Sequence, residues 1–308
     1  MGAGIPRPRQ HDNSPIPPIR DNTGMDWPHD TCLYPTFMTK DFSAGGLAEP
    51  AQKIHYTLRI ASAMCFIGHG AFGIITKAVW CNYFAVFGIG HDMAYHLMPV
   101  VGSIDILLGL SLLVYPTRIV LCWLVFWGVV TALLRPLSGE PFGEFIERAG
   151  NYGAPLALLL LSMPAPKKAW WSRIDAHPQP DAATFNRVFL CLRIVVFLLL
   201  LGHGWLNWIE KKGLMAQYAG LGFSDPVKVA HLAGGFELIA AFAILIRPVR
   251  PLLLALLVWK IGTELFYPHY EMFEWIERGG SYGSLLALWL ALGKSRQPIT
   301  NIHQTLTA

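Results

Sequence analysis

Ionisable side chains recur at matched positions inside the apolar stretches of this sequence. His69 and His203 each lie between two glycines of a long apolar run, and the next run carries Asp105 in one case and Glu237 in the other. A later apolar run, which follows the one that carries Glu237, contains Glu264. An ionisable group inside a membrane span costs at least ~2.5 kcal/mol unless it is paired or wetted, so each one is a functional hypothesis. A histidine beside a carboxylate could accept and pass on a proton near physiological pH.

A second polar pattern is also written twice, as "EFIERAGNYG" from position 144 and "EWIERGGSYG" from position 274. In each copy, glutamate, arginine and tyrosine share one helix face at i, i+4 and i+8, with another glutamate within a turn: Glu144, Arg148, Tyr152 and Glu147, then Glu274, Arg278, Tyr282 and Glu277. Glutamate four residues before arginine is the favourable order for a pair within one helix. We therefore expect each arginine to pair with a glutamate of its own copy.

Small residues lie beside this charged face, Ala149 and Gly153 in the first copy and Gly279 and Gly283 in the second. Small-x-x-x-small spacing allows a partner helix to approach closely. The pattern predicts a packed polar layer, and such a layer serves either a ligand or only the packing of the helices.

The composition is typical of an integral membrane protein. Hydrophobic residues make up 53% of the 308 positions and charged residues 14%, and the mean hydropathy is +0.40. An ordinary soluble domain has about a quarter charged residues. The net charge of +4 comes from short basic clusters rather than a basic stripe, which argues against nucleic acid as a partner. Five cysteines without a C-x-x-C pair favour neither a disulfide framework nor a thiol relay.

Eight stretches are apolar enough for helices of ~20 residues, the length that crosses the hydrocarbon core. They lie near 58–78, 97–115, 118–136, 144–163, 188–208, 229–247, 250–267 and 273–293. The second four repeat the first four, since "GHG" at 68–70 returns at 202–204, with an offset that drifts from 134 to 130 along the chain. The predicted fold class is all-α, a polytopic membrane protein whose eight transmembrane helices form two parallel four-helix repeats.

The spans divide the chain into five segments. These are a cytosolic polar tail (1–54), a first four-helix membrane unit (55–165), a linker (166–187), a second four-helix membrane unit (188–293) and a C-terminal tail (294–308). Short cytoplasmic loops carry the excess of lysine and arginine. With both termini inside, the outer side holds only Lys77, Arg135, Lys211, Lys212 and Lys228, and the inner side holds Lys40, Lys53, Arg59, Arg118, Lys167, Lys168, Arg173, Arg187, Arg247, Arg250, Lys294 and Arg296. We expect both termini in the cytosol.

The two copies are not equivalent, because Glu264 has Ala132 as its counterpart. The second copy therefore has one more proton-accepting group, and we expect the chemistry there, with His203, Glu237 and Glu264 as catalytic residues. The expected cofactor-binding residues are His69, Asp105, Arg148, Tyr152, Arg278, Tyr282, Glu147 and Glu277. A metal site is only weakly indicated and none is predicted, because neither H-x-x-x-H nor H-E-x-x-H occurs. A site would need His203, His231, Glu237 and Glu264 to meet across three helices.

The second copy, "LRIVVFLLLLGHGWLNWIEKKGLMAQYAGLGFSDPVKVAHLAGGFELIAAFAILIRP", resembles DoxX-like membrane proteins. The features that carry the resemblance are Leu192, Arg193, Gly202, Gly204, Lys211 or Lys212, the loop from Gly220 to Phe223, Gly234 and Glu237. The first copy is similar, with Asp105 in place of the glutamate and "FGIGHD" in place of the loop. The resemblance implies two DoxX-type four-helix units in tandem. DoxX-like members are associated with quinone-linked oxidation of thiosulfate, and related modules with accessory subunits of redox systems.

Three functions stay open at this point. The first is a membrane subunit of a redox system that binds a quinone or a similar hydrophobic cofactor near the outer leaflet of the bacterial inner membrane. His203 with Glu237 would handle the proton, Arg278 would hold a negative charge, and Tyr282 would donate a hydrogen bond. The second is a transporter or a proton- or solute-conducting protein, and the third is a structural subunit of a larger complex. The expected partners are the lipid bilayer and other membrane or redox subunits, and an enzymatic activity is left open.

Overall fold

A computed structural model describes residues 46–265 and 272–293 of the chain. Most of the predicted N-terminal tail and the whole predicted C-terminal tail lie outside these residues. Within them, the regular elements are helices, together with one isolated bridge between Thr117 and Arg173. The all-α prediction is confirmed for this part of the chain.

Each half of the chain contributes six of the helices. The first half contains α1 (Ala48–Ile74), α2 (Trp80–Ala85), α3 (His91–Val114), α4 (Arg118–Leu137), α5 (Gly143–Glu147) and α6 (Ala149–Leu161). The second half contains α7 (Ala182–Trp208), α8 (Lys212–Gly220), α9 (Pro226–Ile246), α10 (Arg250–Leu265), α11 (Met272–Glu277) and α12 (Gly279–Ala291). A short 3-10 helix, Lys167–Trp170, lies between the halves. The helices α1 and α7 begin six or more residues before the predicted spans, inside the predicted tail and linker.

Among the described residues, five helices are long and apolar enough to cross a membrane, namely α1, α3, α4, α7 and α9. The helices α1 and α7 are mostly buried by their neighbours, whereas α3, α4 and α9 leave more of their surface uncovered. That uncovered surface is apolar, with Leu107 exposed by 66% and Ile239 by 74%. An exposed apolar face of this kind fits contact with lipid. The chain is therefore compatible with a helical membrane protein.

The halves are interlocked rather than self-contained. The helix α1 packs on α3 of its own half and on α12 of the other, and α7 packs on α9 and on α6 in the same way. Between them α6 crosses α12, where a Cβ added to Gly150 would lie 2.6 Å from the backbone nitrogen of Ser281. Gly153 of α6 packs against the side chain of Val195 of α7, and Gly283 of α12 packs against the Cβ of Ala61 of α1. The helix faces that carry these small residues thus pack closely against a partner helix, as predicted. In each case the partner helix belongs to the opposite half.

The predicted spans 144–163 and 273–293 are each broken, at Arg148 and Arg278. Arg148 has φ −85° and ψ 15°, so the backbone leaves the α-helical conformation there and resumes it in α6. The break lets α5 lie against α7, where a Cβ added to Gly202 would be 2.3 Å from the Glu147 nitrogen. Gly68 of α1 admits the backbone of Glu277 in the same manner. The glycine that precedes each histidine therefore allows this close helix contact.

The repeated Leu-Arg start of each half has a structural explanation. The Nε of Arg59 donates to the carbonyl of Leu112 at 2.6 Å, near the end of α3. Likewise, the Nε of Arg193 donates to the carbonyl of Ile244 at 3.1 Å, near the end of α9. The last carbonyls of a helix lack partners within the helix, and a cation there is favourable. These two buried arginines therefore stabilise helix ends.

Candidate functional site

A cavity of about 410 Å³ lies in the second half, between α7, α8, α9 and α10. Most of its wall is apolar, formed by residues such as Leu206, Leu214, Leu221, Phe223 and Val258. Its polar lining includes Glu147, His203, Glu264 and Arg278. We call this the second cavity. A largely apolar space with a few convergent polar groups is the usual form of a small-molecule site.

His203 is held in one orientation by hydrogen bonds on the side of its Nδ1. This nitrogen bonds Oε2 of Glu237, which is fully buried on α9. The other carboxylate oxygen of Glu237 accepts a hydrogen bond from Nε1 of Trp259 at 3.0 Å. A carboxylate on Nδ1 favours the tautomer that carries its proton there, so Nε2 becomes the atom available for a ligand. The pair therefore has the arrangement of a proton acceptor.

The amide of Asn207 extends this network toward α8. Its nitrogen donates to the His203 carbonyl at 3.0 Å, and its oxygen accepts the hydroxyl hydrogen of Tyr218 at 2.7 Å. Burial raises the pKa of Tyr218 to about 12, so the phenol stays a neutral donor. The short helix α8 is thereby tied to the helix that carries His203.

Arg278 forms the second polar group of the cavity, and its main partners differ from those predicted. Its Nε lies 2.8 Å from Oε2 of Glu264, and one terminal nitrogen lies 3.1 Å from Oε1 of Glu147. Glu274, one turn earlier, comes only within 4.0 Å. The predicted pair with Glu274 is therefore present, but it is longer than the contacts with Glu264 and with Glu147 of the other half. Glu147 lies on α5, which the helix break at Arg148 allows to pack toward the second half.

Lys260 is a functional candidate that the sequence analysis missed. It lies on α10, the residue is 1% exposed, and its Nζ lies between Glu237 and Glu264. The signal was present, because Lys260 is an ionisable residue inside the predicted span 250–267. Lys211 was also missed as a partner, although it pairs with Glu144 of the other half. Lys77 and Glu274 repeat that cross-half pair.

A smaller cavity of about 70 Å³ occupies the corresponding region of the first half. His69 lines it and bonds Asp105 through Nδ1 at 2.7 Å. The ring centroid of Trp80 lies 4.7 Å from that of His69. We call this the first cavity.

Arg148, on the wall of the first cavity, behaves as the sequence predicted. Its terminal nitrogen lies 2.5 Å from Oε2 of Glu144 and 3.5 Å from Oε2 of Glu147. Pairing within its own copy is therefore confirmed. Glu277 also lines this cavity, although it belongs to the other half.

Side chains of the short helices set the sizes of the two cavities. The first cavity is lined by aromatic residues from α2 and the turn that follows it: Trp80, Tyr83, Phe84 and Phe87. At an offset of 134, the second cavity has Leu214, Gln217, Tyr218 and Leu221. Sequence reasoning treated both segments as loops and did not use this difference. The same 134-residue offset that aligned the histidines would have aligned these four positions.

The structure separates the other predicted site residues into two groups. Asp105 and Glu237 are buried behind their histidines and position them. The two tyrosines line neither described cavity. The Tyr152 hydroxyl points back to the Phe145 carbonyl at 3.4 Å, and the buried Tyr282 hydroxyl has no hydrogen-bond partner among the described residues. The expected hydrogen bond from Tyr282 to a cofactor is therefore not positioned at either cavity.

No protein-family model, curated protein or solved structure matches this chain. Within the described ranges, no three His, Cys, Asp or Glu side chains converge in a way that could hold a metal ion.

Proposed function

We propose that this chain is a membrane subunit of a redox system and that its second cavity binds a quinone or a similar hydrophobic ring with ionisable oxygens. The observation that carries the proposal is the cavity of about 410 Å³ with His203 on its wall and Glu237 behind the histidine. The apolar wall suits a hydrophobic ring, and the polar groups suit its oxygens. The volume falls within the ~300–1,000 Å³ of ordinary small-molecule sites.

The chemistry assigned to the site is proton transfer. Nε2 of His203 accepts a proton from a ring hydroxyl, and the Glu237 carboxylate stabilises the imidazolium that forms. Glu264, paired with Arg278, is a second acceptor on the same cavity wall. The electrons pass to a partner subunit. The likeness to DoxX-like proteins, which rests on the sequence motifs alone, supports this assignment to quinone-linked redox systems.

The membrane arrangement that accompanies this function has eight spans. The broken pairs α5–α6 and α11–α12 each serve as one span, and α10 serves as another, in addition to the five long helices. The halves then form two parallel four-helix repeats with both termini cytosolic, in the bacterial inner membrane. The distribution of lysine and arginine supports this orientation.

Accessibility labelling of the linker tests the orientation. Ser172 lies on the exposed linker surface and is suitable for a Ser172→Cys replacement. We expect a membrane-impermeant maleimide to label this cysteine in inverted vesicles but not in intact cells. The parent protein supplies the background for the native cysteines. Labelling of Ser172→Cys from outside intact cells would overturn the proposed orientation.

Direct binding of a quinone tests the function itself. Decylubiquinone is titrated into the purified protein in detergent, and bound probe is measured per folded protein. We expect His203→Gln to lose binding while it remains folded, and the matched variant His69→Gln to retain it. Full binding by His203→Gln with only a lower melting temperature would show that the histidine is structural. No saturable binding by the parent protein would remove the quinone assignment.

A further inference from the structure

A buried lysine connects the two polar groups of the second cavity. The Nζ of Lys260 lies 3.9 Å from Oε1 of Glu237 and 3.8 Å from Oε1 of Glu264. It has no hydrogen-bond partner within the described part of the chain. The other oxygens of the two carboxylates serve His203 and Arg278. Lys260 is therefore a desolvated cation almost equidistant from the two carboxylates.

The first half lacks this arrangement. The counterparts of Lys260 and Glu264, at an offset of 132, are Gly128 and Ala132. A Cβ added to Gly128 would lie 3.2 Å from the Cβ of Tyr152, so α4 packs tightly there against α6. The Lys-Glu pair at i and i+4 thus occurs in the half that has the large cavity.

We propose that Lys260 is a positioning residue that keeps Glu237 and Glu264 ionised at the same time, so that the second cavity can take up two protons from one ligand. This inference rests on the proposed function for the ligand, although its electrostatic part stands without it. Two carboxylates close together in a dry site would otherwise share one proton, because like charges disfavour ionisation. A cation between them removes that competition.

The surrounding charges support this role. Packed around Lys260 are Glu237 on α9 and Glu264 on α10, and beyond these lie His203 on α7, Arg278 before α12, and Glu147 on α5. Arg278 is shared between Glu264 and Glu147, and His203 is charged only after it has accepted a proton. Before proton uptake, Lys260 is therefore the fixed cation nearest to Glu237 in this group.

Infrared spectroscopy of the ligand-free protein tests the inference without any quinone. The wild-type protein supplies the reference titration. Removal of the cation in Lys260→Met should raise the midpoint of one carboxyl by ~1–3 pH units, seen as a protonated carboxyl band that persists to higher pH. Lys260→Met/Glu264→Gln should lose that band, and Lys260→Arg should keep the wild-type titration.

A second variant that removes the charge serves as a control in case Lys260→Met fails to fold. Lys260→Gln keeps hydrogen-bond donors between the two carboxylates, so it should fold and show the same raised midpoint. A purely structural lysine would lower the melting temperature in both variants and leave the titration unchanged, and that result would overturn the inference. If the raised midpoint is found but decylubiquinone does not bind the wild type, the electrostatic role holds and the quinone assignment fails.

Discussion

The two halves of the chain contain the same arrangement of polar residues, but the space beside these residues is large in the second half and mostly filled by side chains in the first. Each cavity is lined by a histidine whose Nδ1 is hydrogen-bonded to a buried carboxylate. Each is also lined by an arginine that lies at a helix break. Their volumes nevertheless differ, about 70 Å³ against about 410 Å³. The difference comes largely from Trp80, Tyr83 and Phe87, whose counterparts in the second half are the smaller Leu214, Gln217 and Leu221. A histidine–carboxylate pair in an apolar helix bundle therefore indicates a ligand site only where a cavity lies beside the pair.

The largest effect is expected at the arginine of the second cavity. Arg278→Met removes the nearest cation from both Glu147 and Glu264, and breaking a buried pair in this way costs ~3–5 kcal/mol of unfolding free energy. Arg278→Met/Glu264→Gln should cost less than Arg278→Met alone, because one unpaired charge is removed. Thermal unfolding in detergent measures both. If the double variant is as damaged as the sum of the two single variants, the pairing is wrong.

Filling the second cavity should make it resemble the first. Leu214→Trp/Leu221→Phe introduces aromatic side chains at the positions of Trp80 and Phe87. We expect affinity for decylubiquinone to fall at least ~100-fold, which corresponds to ~2.7 kcal/mol. The melting temperature should change little, since the added groups enter empty space. Undiminished binding by this variant would place the ligand elsewhere.

Opening the first cavity is the converse experiment. Trp80→Leu removes the ring that lies against His69, and we expect a loss of ~2 kcal/mol in unfolding free energy, because deleted aromatic volume leaves a cavity. Thermal unfolding measures the loss. A weak second decylubiquinone site in Trp80→Leu would show that the aromatic ring alone closes the first half. Wild-type stability would contradict its role as packing.

Much of this comparison could be predicted from the sequence, but its decisive parts could not. The offset pairs His69 with His203, and it predicts which helices carry their carboxylates. It does not predict that α6 packs on α7 and that α12 packs on α1, each a helix of the other half, because periodicity describes one helix at a time. For the same reason Glu147 could not be assigned to Arg278. The cavities depend on α2 and α8, whose short apolar lengths gave no clear helical period.

The last stability effect concerns the crossing of the two halves. Gly150→Ala forces a methyl group against the backbone of α12, and overpacking of this kind costs ~1–3 kcal/mol; thermal unfolding reports the cost. Gly235→Ala is the matched control, because a Cβ there meets nothing within 4 Å. The control should be neutral or slightly stabilising. Equal stability of the two variants would mean that the close crossing of α6 and α12 is incorrect.

Photoaffinity labelling tests the central claim, that the second cavity holds the ligand and the first does not. An azido derivative of a short-chain ubiquinone is photolysed with the purified protein, and the modified peptides are mapped by mass spectrometry. We expect label on α8 and α10, which line the second cavity, and we expect decylubiquinone to compete with it. Competed label of equal intensity on α2, or label confined to helices outside the second cavity, would contradict it.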